Sequence, residues 1–244
     1  SGSINFKNVS FSYSENDKDV LKNISIKIKS GQTVALVGPS GAGKSSLLKC
    51  ILGLMSPSSG KITIHDNMKF SYVPQYFLGE TGFSISVLQV ISMGLANKSI
   101  FNKSQNLNDI NSALKKVDLK QSVLKENFLN LSGGQKQRVV IARALVNNPN
   151  FLIFDEAFSN VDMTTKTKIY ELLARINRED NTTILFVSHE VDTIIQKCKR
   201  VICLNKHLHE GCHPIKFMEG KLQKIDNILV RINKIHHHHN HEKC

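Results

Sequence analysis

"VALVGPSGAGKS", Val34 to Ser45, decides the fold of this chain. The continuously apolar Val34–Val37 reads as a strand buried on both faces, the kind found in parallel sheets. It runs into a glycine-rich turn, Gly38-Pro39-Ser40-Gly41-Ala42-Gly43, and then Lys44, Ser45 and Ser46 open an apolar helix predicted over 44–54 and stopped by Gly53 and Ser56-Pro57. The glycines let the backbone curl so that its N–H groups face a phosphate, and the helix N-terminus adds positive potential. In this pattern Lys44 reaches the β- and γ-phosphates of a nucleotide, and the Ser45 hydroxyl binds Mg²⁺. With glycine at about 7% of residues, chance would place such a pattern in about one chain per hundred of this length, so a plain tight turn is a poor explanation.

Working outward, residues 4–11 and 20–28 carry near-alternating apolar positions and predict antiparallel strands. Short strands are predicted at 61–64 and 70–73. From about Gln75 to Leu131 the character changes: polar Asn/Ser/Lys linkers separate helical patterns near 85–93 and 110–117, which reads as a helical insertion. Strand–helix alternation resumes at 151–154, 182–187 and 200–204, the signature of a doubly wound α/β core. Near the end, Leu222, Ile225, Ile228, Leu229, Ile232 and Ile235 fall on one helical face. Such a stripe packs against its own domain more often than against a second subunit.

The 244 residues fit one large or two small domains, and a hydrophobic content of 41% is ordinary for a soluble globular protein. The longest apolar runs are strand-length, far short of a membrane span. No signal peptide is visible, so the chain is expected in the cytoplasm. Ser1-Gly2-Ser3 resembles a cloning remnant and is set apart from the fold reading. The five cysteines are scattered without a framework pattern and read as free thiols. The net charge of +12 invites an anionic partner, although a Lys- and Asn-rich solvated surface is the simpler explanation and comes first. No basic stripe is interleaved with aromatics, so a nucleic-acid partner is not expected.

A second glycine-rich helix start lies at "LSGGQ", Leu131–Gln135. Ser132 is an N-cap, Gly133 and Gly134 allow close backbone approach, and an apolar-periodic helix follows. The first loop already accounts for one nucleotide, so this second anion-ready terminus is expected to serve the phosphate of another copy of the chain. Together the two motifs resemble the nucleotide-binding subunit of ABC transporters, over roughly residues 4–210. The resemblance implies a P-loop NTPase core with a parallel sheet, an antiparallel β subdomain and a helical subdomain at about 76–136. It implies two subunits stacked head to tail, with Ser132, Gly134 and Gln135 clamping the γ-phosphate of the opposite subunit's ATP.

The same resemblance assigns further residues. "FLIFDE" ends in Asp155, which would hold Mg²⁺ through its water shell, and Glu156, which would polarise the attacking water. Asp162 in "SNVD" would communicate across the dimer. His189 in "VSHE" fits the switch histidine at the γ-phosphate, and Gln75 in "YVPQ" fits the residue joining the Mg²⁺ site to the helical insertion. Tyr13 in "FSY" fits the aromatic that stacks on adenine, although an ordinary strand tyrosine would look the same in so short a match. The family commonly has proline after the Asp-Glu pair, whereas this chain has Ala157, which puts the rigidity of that turn in question.

By resemblance the chain hydrolyses ATP at the cytoplasmic face of the plasma membrane, as a peripheral homodimer docked on integral permease subunits and served indirectly by a metal-binding substrate-binding protein. "VLQVISMGL" (87–95) and "VICLNKHLHEGCHP" (201–214) resemble metal-importer and zinc-uptake ATPases respectively. Two groups of ligand-type residues also bear on cargo: His207, His209, Cys212 and His213, and a tail with His236, His237, His238, His239, His241 and Cys244. Imidazole and thiolate suit Zn²⁺ better than Mg²⁺ or Ca²⁺. The first group also reads as a polar strand–turn edge. The second, in an extension over 211–244, is read as native and as a zinc contact, against a disordered tail or cloning product. The alternatives are a manganese or iron importer, or a soluble ABC ATPase outside transport.

Overall fold

A computed structural model describes residues 3–14, 18–65, 67–75, 84–95, 103–159, 161–188 and 197–210. The predicted sites at His189, Cys212, His213 and the histidine tail, and the apolar stripe from Leu222 to Ile235, lie outside the described residues.

A three-stranded antiparallel sheet is built from β1 (Ile4–Phe11), β2 (Leu21–Ile28) and β4 (Ser59–Ile64), in the order β2-β1-β4. Its alternating apolar residues, including Ile4, Phe6, Ile24 and Ile26, are buried, as the period of two requires. A six-stranded sheet has the order β5-β6-β7-β3-β8-β9. It contains β3 (Thr33–Val37), β5 (Phe70–Val73), β6 (Phe151–Asp155), β7 (Thr183–Ser188) and β8 (Arg200–Asn205), all paired in parallel. β9 (His207–Glu210) closes one edge, antiparallel to β8.

The two faces of this sheet bury different layers. Val34, Leu36, Ile153, Leu185 and Leu204 pack with the antiparallel sheet and with helix α1 (Lys44–Ile51). The alternate residues Ala35, Val37, Phe154, Phe186 and Val201 pack on the other face, beneath α2 (Val87–Ser92), α3 (Lys103–Lys116), α4 (Gly133–Leu145) and α5 (Met163–Asp180). The continuous apolarity of β3 thus supplies two half-cores at once.

Several boundaries differ from expectation for local reasons. α1 ends at Ile51, because the chain turns at Gly53 and Leu54 N–H bonds back to the Lys49 carbonyl at 2.9 Å, leaving Leu54 71% exposed. α3 begins at Lys103 rather than near Ile110, since its first two turns are polar and carry little periodic signal. Ser86 and Gln89 form a reciprocal capping box that starts α2 at Val87, and a 3-10 turn at Met93–Leu95 finishes it. A turn with Lys206 at φ 61° folds residues 207–210 back along β8 as β9, where the sequence offered a polar strand–turn edge.

Candidate active site

Several strands of the parallel sheet lead at their carboxyl ends into expected site residues. In the order β5-β6-β7-β3, Gln75 lies two residues beyond β5, Asp155 and Glu156 close β6, β7 ends at Ser188 just before His189, and β3 runs into Gly38–Gly43. Strands separated in sequence are thereby brought to neighbouring positions about 4.8 Å apart, at the edge where open α/β sheets bind ligands.

The loop after β3 is held by its surroundings. Gly38 passes so close to β8 that a Cβ there would lie 2.1 Å from the Leu204 carbonyl oxygen, and Gly43 adopts φ +96° where the loop enters α1. Backbone N–H of Lys206 donates to the Ala42 carbonyl at 3.1 Å, so the β8–β9 turn braces the loop. Pro39, Ser40 and Gly41 are exposed, as is Ser45 in the first turn of α1, while Ser46 is buried. Tyr13 is 58% exposed, and its hydroxyl meets the Ser46 hydroxyl at 3.0 Å, which sets the ring beside the start of α1.

Lys44 is only 8% exposed, and its ammonium donates to the carbonyls of Gly38 at 2.7 Å and Pro39 at 2.9 Å. Burial pulls its pKa below the ordinary lysine value, while Glu156 and then Asp155 oppose that shift. These three groups therefore sit within electrostatic reach of one another. Burial raises the Asp155 pKa; a hydrogen bond from the Tyr72 hydroxyl counters this, Glu156 adds to it and Lys44 counters it. Glu156 occupies the left-handed region at φ 51°, a conformation that costs a non-glycine residue about 1–3 kcal/mol. The turn is secured all the same: Glu156 N–H donates to the Val187 carbonyl at 2.9 Å, and Ser159 N–H to the Glu156 carbonyl at 3.2 Å. Ala157 therefore leaves a turn tied to β7 by its own backbone.

The signature residues form a separate group. Ser132 caps α4 by accepting from Gln135 N–H at 3.3 Å, and the Gln135 side chain returns a bond from Ser132 N–H at 3.0 Å. Gly133 faces open space, and a Cβ on Gly134 would stand 3.6 Å from the Thr165 side chain. Asp162 caps α5 through Thr165 N–H at 2.9 Å, which lowers its carboxyl pKa. The starts of α4 and α5 thus adjoin, on the face of the sheet opposite α1. Tyr72, whose hydroxyl donates to Asp155 Oδ2 at 2.8 Å, was overlooked in the sequence although it stands three residues before Gln75. Among the described residues no cluster of His, Cys, Asp and Glu is arranged to hold a metal ion; of the group expected around His207, that residue lies on β9, and Cys212 and His213 lie outside the described residues. Among them, too, no helix is long and apolar enough to cross a membrane.

The geometry defines a nucleotide-binding cassette, and comparison gives it a family. The ABC transporter family model matches residues 21–159, and this chain belongs to that family. It is 35% identical over 239 residues to a zinc import ATP-binding protein, ZnuC, of Rickettsia conorii, covering 98% of this chain and 97% of the relative. It is 36% identical over 211 residues to the ZnuC of Hydrogenovibrio crunogenus, covering 84% and 80%. Among solved structures, cbiO1 from Clostridium perfringens, part of the ABC transporter complex cbiONQ, superposes with a TM-score of 0.79 at 28% identity, covering 89% of this chain and 91% of that one. A dimeric structure of MJ0796, a bacterial ABC transporter cassette, gives 0.68 at 29% identity, covering 85% and 97%.

Proposed function

We propose that this chain is the ATP-hydrolysing subunit of an ABC importer for a divalent transition metal, zinc, and couples ATP-driven closure of a two-subunit sandwich to a separate membrane permease. The row of residues at the carboxyl edge of β5-β6-β7-β3 is the observation that most supports hydrolysis. Zinc as cargo is supported by relatives named for zinc import that match 84% and 98% of the chain. The loop Gly38–Gly43 cradles the phosphates with its N–H groups, and Lys44 exchanges the loop carbonyls for the β- and γ-phosphates. Tyr13 stacks on adenine. Glu156 orients and polarises the attacking water, and His189 and Gln75 meet the γ-phosphate region from the neighbouring strand ends.

The donors fit Mg²⁺: the exposed Ser45 hydroxyl, the Asp155 carboxylate and the Gln75 amide offer hard oxygens and no sulfur or imidazole. Bound there, Mg²⁺ supplies charge neutralisation at the phosphate oxygens. Ser132, Gly134 and Gln135 serve the ATP of a second subunit. The placement of α4 and α1 on opposite faces of one sheet supports this, because it keeps a chain's signature away from its own phosphate loop. Asp162, beside the signature, belongs to the same interface. The ATPase pair docks on the cytoplasmic side of its permease, and a substrate-binding protein delivers the metal from outside. The tail histidines His236–His239 and His241, with Cys244, contact zinc as borderline ligands do.

Reconstitution of the ATPase with its permease, followed by ATP-dependent uptake of labelled zinc, manganese and iron, tests the proposal. Zinc uptake that disappears without ATP is expected. ATP-dependent uptake confined to manganese or iron would move the cargo, and no uptake of any of the three would remove the transport reading.

A further inference from the structure

We propose that Tyr72 is a positioning residue for the Mg²⁺ site, its phenol fixing the Asp155 carboxylate and tying it to the strand that leads to Gln75. The proposal rests on the reading of Asp155 as the carboxylate that meets the metal's water shell. Tyr72 lies on β5 in register with Ile153 of β6, so Asp155, two residues further along, points to the same face and is its diagonal neighbour. This is the face on which α1 packs, through Ile153 and the residues of its inner side. The Tyr72 hydroxyl donates to Asp155 Oδ2 at 2.8 Å, and such a bond is strengthened when its acceptor is a carboxylate.

The Asp χ2 torsion is broad and roughly two-fold, so an aspartate at a strand end has a soft carboxylate plane. A donor on Oδ2 removes that freedom and commits Oδ1 to the metal's water. The donor also comes from a particular place. Tyr72 is the last residue but one of its strand, and Gln75 follows after Val73 and Pro74. Any shift of the segment bearing Gln75 therefore pulls on the strand whose tyrosine holds Asp155. The 37% exposure of Tyr72 shows that core packing alone does not account for its position.

Mn²⁺ is the probe, its binding followed by electron paramagnetic resonance in the presence of a non-hydrolysable ATP analogue. Tyr72→Phe keeps the ring and removes only the hydroxyl. It is expected to weaken Mn²⁺ binding by about tenfold, the low end for a hydrogen bond to a charged group. Affinity for the analogue in EDTA should stay within about twofold, and in an Asp155→Asn background the further effect of Tyr72→Phe should shrink to about twofold or less. Unchanged Mn²⁺ affinity in Tyr72→Phe, or an equal loss in both backgrounds, would overturn the inference while leaving Asp155 in place. If Asp155→Asn itself leaves Mn²⁺ binding intact, the metal assignment falls and the inference falls with it.

Discussion

Ser132 carries two loads that one pair of substitutions can separate. Within the chain it caps α4, accepting from Gln135 N–H at 3.3 Å. Across the proposed dimer its hydroxyl faces the partner's γ-phosphate. Ser132→Ala removes the cap and should cost about 1 kcal/mol of stability. For a domain of this size that lowers Tm by about 2–4 °C. Ser132→Asp keeps a side-chain acceptor at the cap and adds a negative charge that suits a helix N-terminus, so its Tm should match the parent within about a degree. The same carboxylate would stand against a phosphate in the closed dimer. At about 4 Å and an effective dielectric of about 20, each pair of unit charges repels by about 4 kcal/mol. That corresponds to about three powers of ten for each composite site, and the symmetric dimer has one on each subunit. Differential scanning calorimetry gives Tm, and size-exclusion mass with Mg-ATP in a Glu156→Gln background gives dimerisation. Ser132→Asp should melt normally and stay monomeric, whereas Ser132→Ala should melt early and dimerise weakly. A Ser132→Asp protein that dimerises as the parent does would refute the contact in trans.

Lys44→Ala should weaken ATP binding by about 100-fold or more, since it removes the buried ammonium that charge-assisted bonds to phosphate require; fluorescence titration with a labelled nucleotide checks this. Deleting residues 236–244 should leave basal ATPase activity unchanged and alter how the reconstituted complex responds to buffered zinc. That response should fade in the full-length protein as pH falls below about 6, because protonated imidazole cannot ligate metal; superimposable zinc curves with and without the tail would make it a passive appendage.

The core and its nucleotide loop were legible because their signals are local. A run such as Val34–Val37 has one economical use, and Gly38–Ser45 must follow a strand and open a helix to work. Capping chemistry was equally readable at Ser132, where one hydroxyl starts α4. What stayed hidden depends on contacts between strands distant in sequence. Nothing in "FSYVPQ" reveals that Tyr72 reaches Asp155, because that bond exists only once β5 and β6 lie in register. The brace from Lys206 to Ala42 needs the same long-range pairing, with β9 folded back along β8. The front of α3 was missed for the opposite reason: its residues are mostly polar, so the helix is held by its later turns, where Ile110, Ala113 and Leu114 are buried.

Turnover by the Glu156→Gln protein tests the central claim most directly. The substitution keeps the side chain's size and the φ 51° turn, and removes only the negative charge that polarises water. Measured with Mg-ATP, phosphate release should fall by about 100-fold or more, the scale of a lost general base, while ATP binding persists and the mass shifts to that of a dimer. Phosphate release at the parent rate would contradict the assignment of Glu156 and, with it, the account of how this cassette hydrolyses ATP.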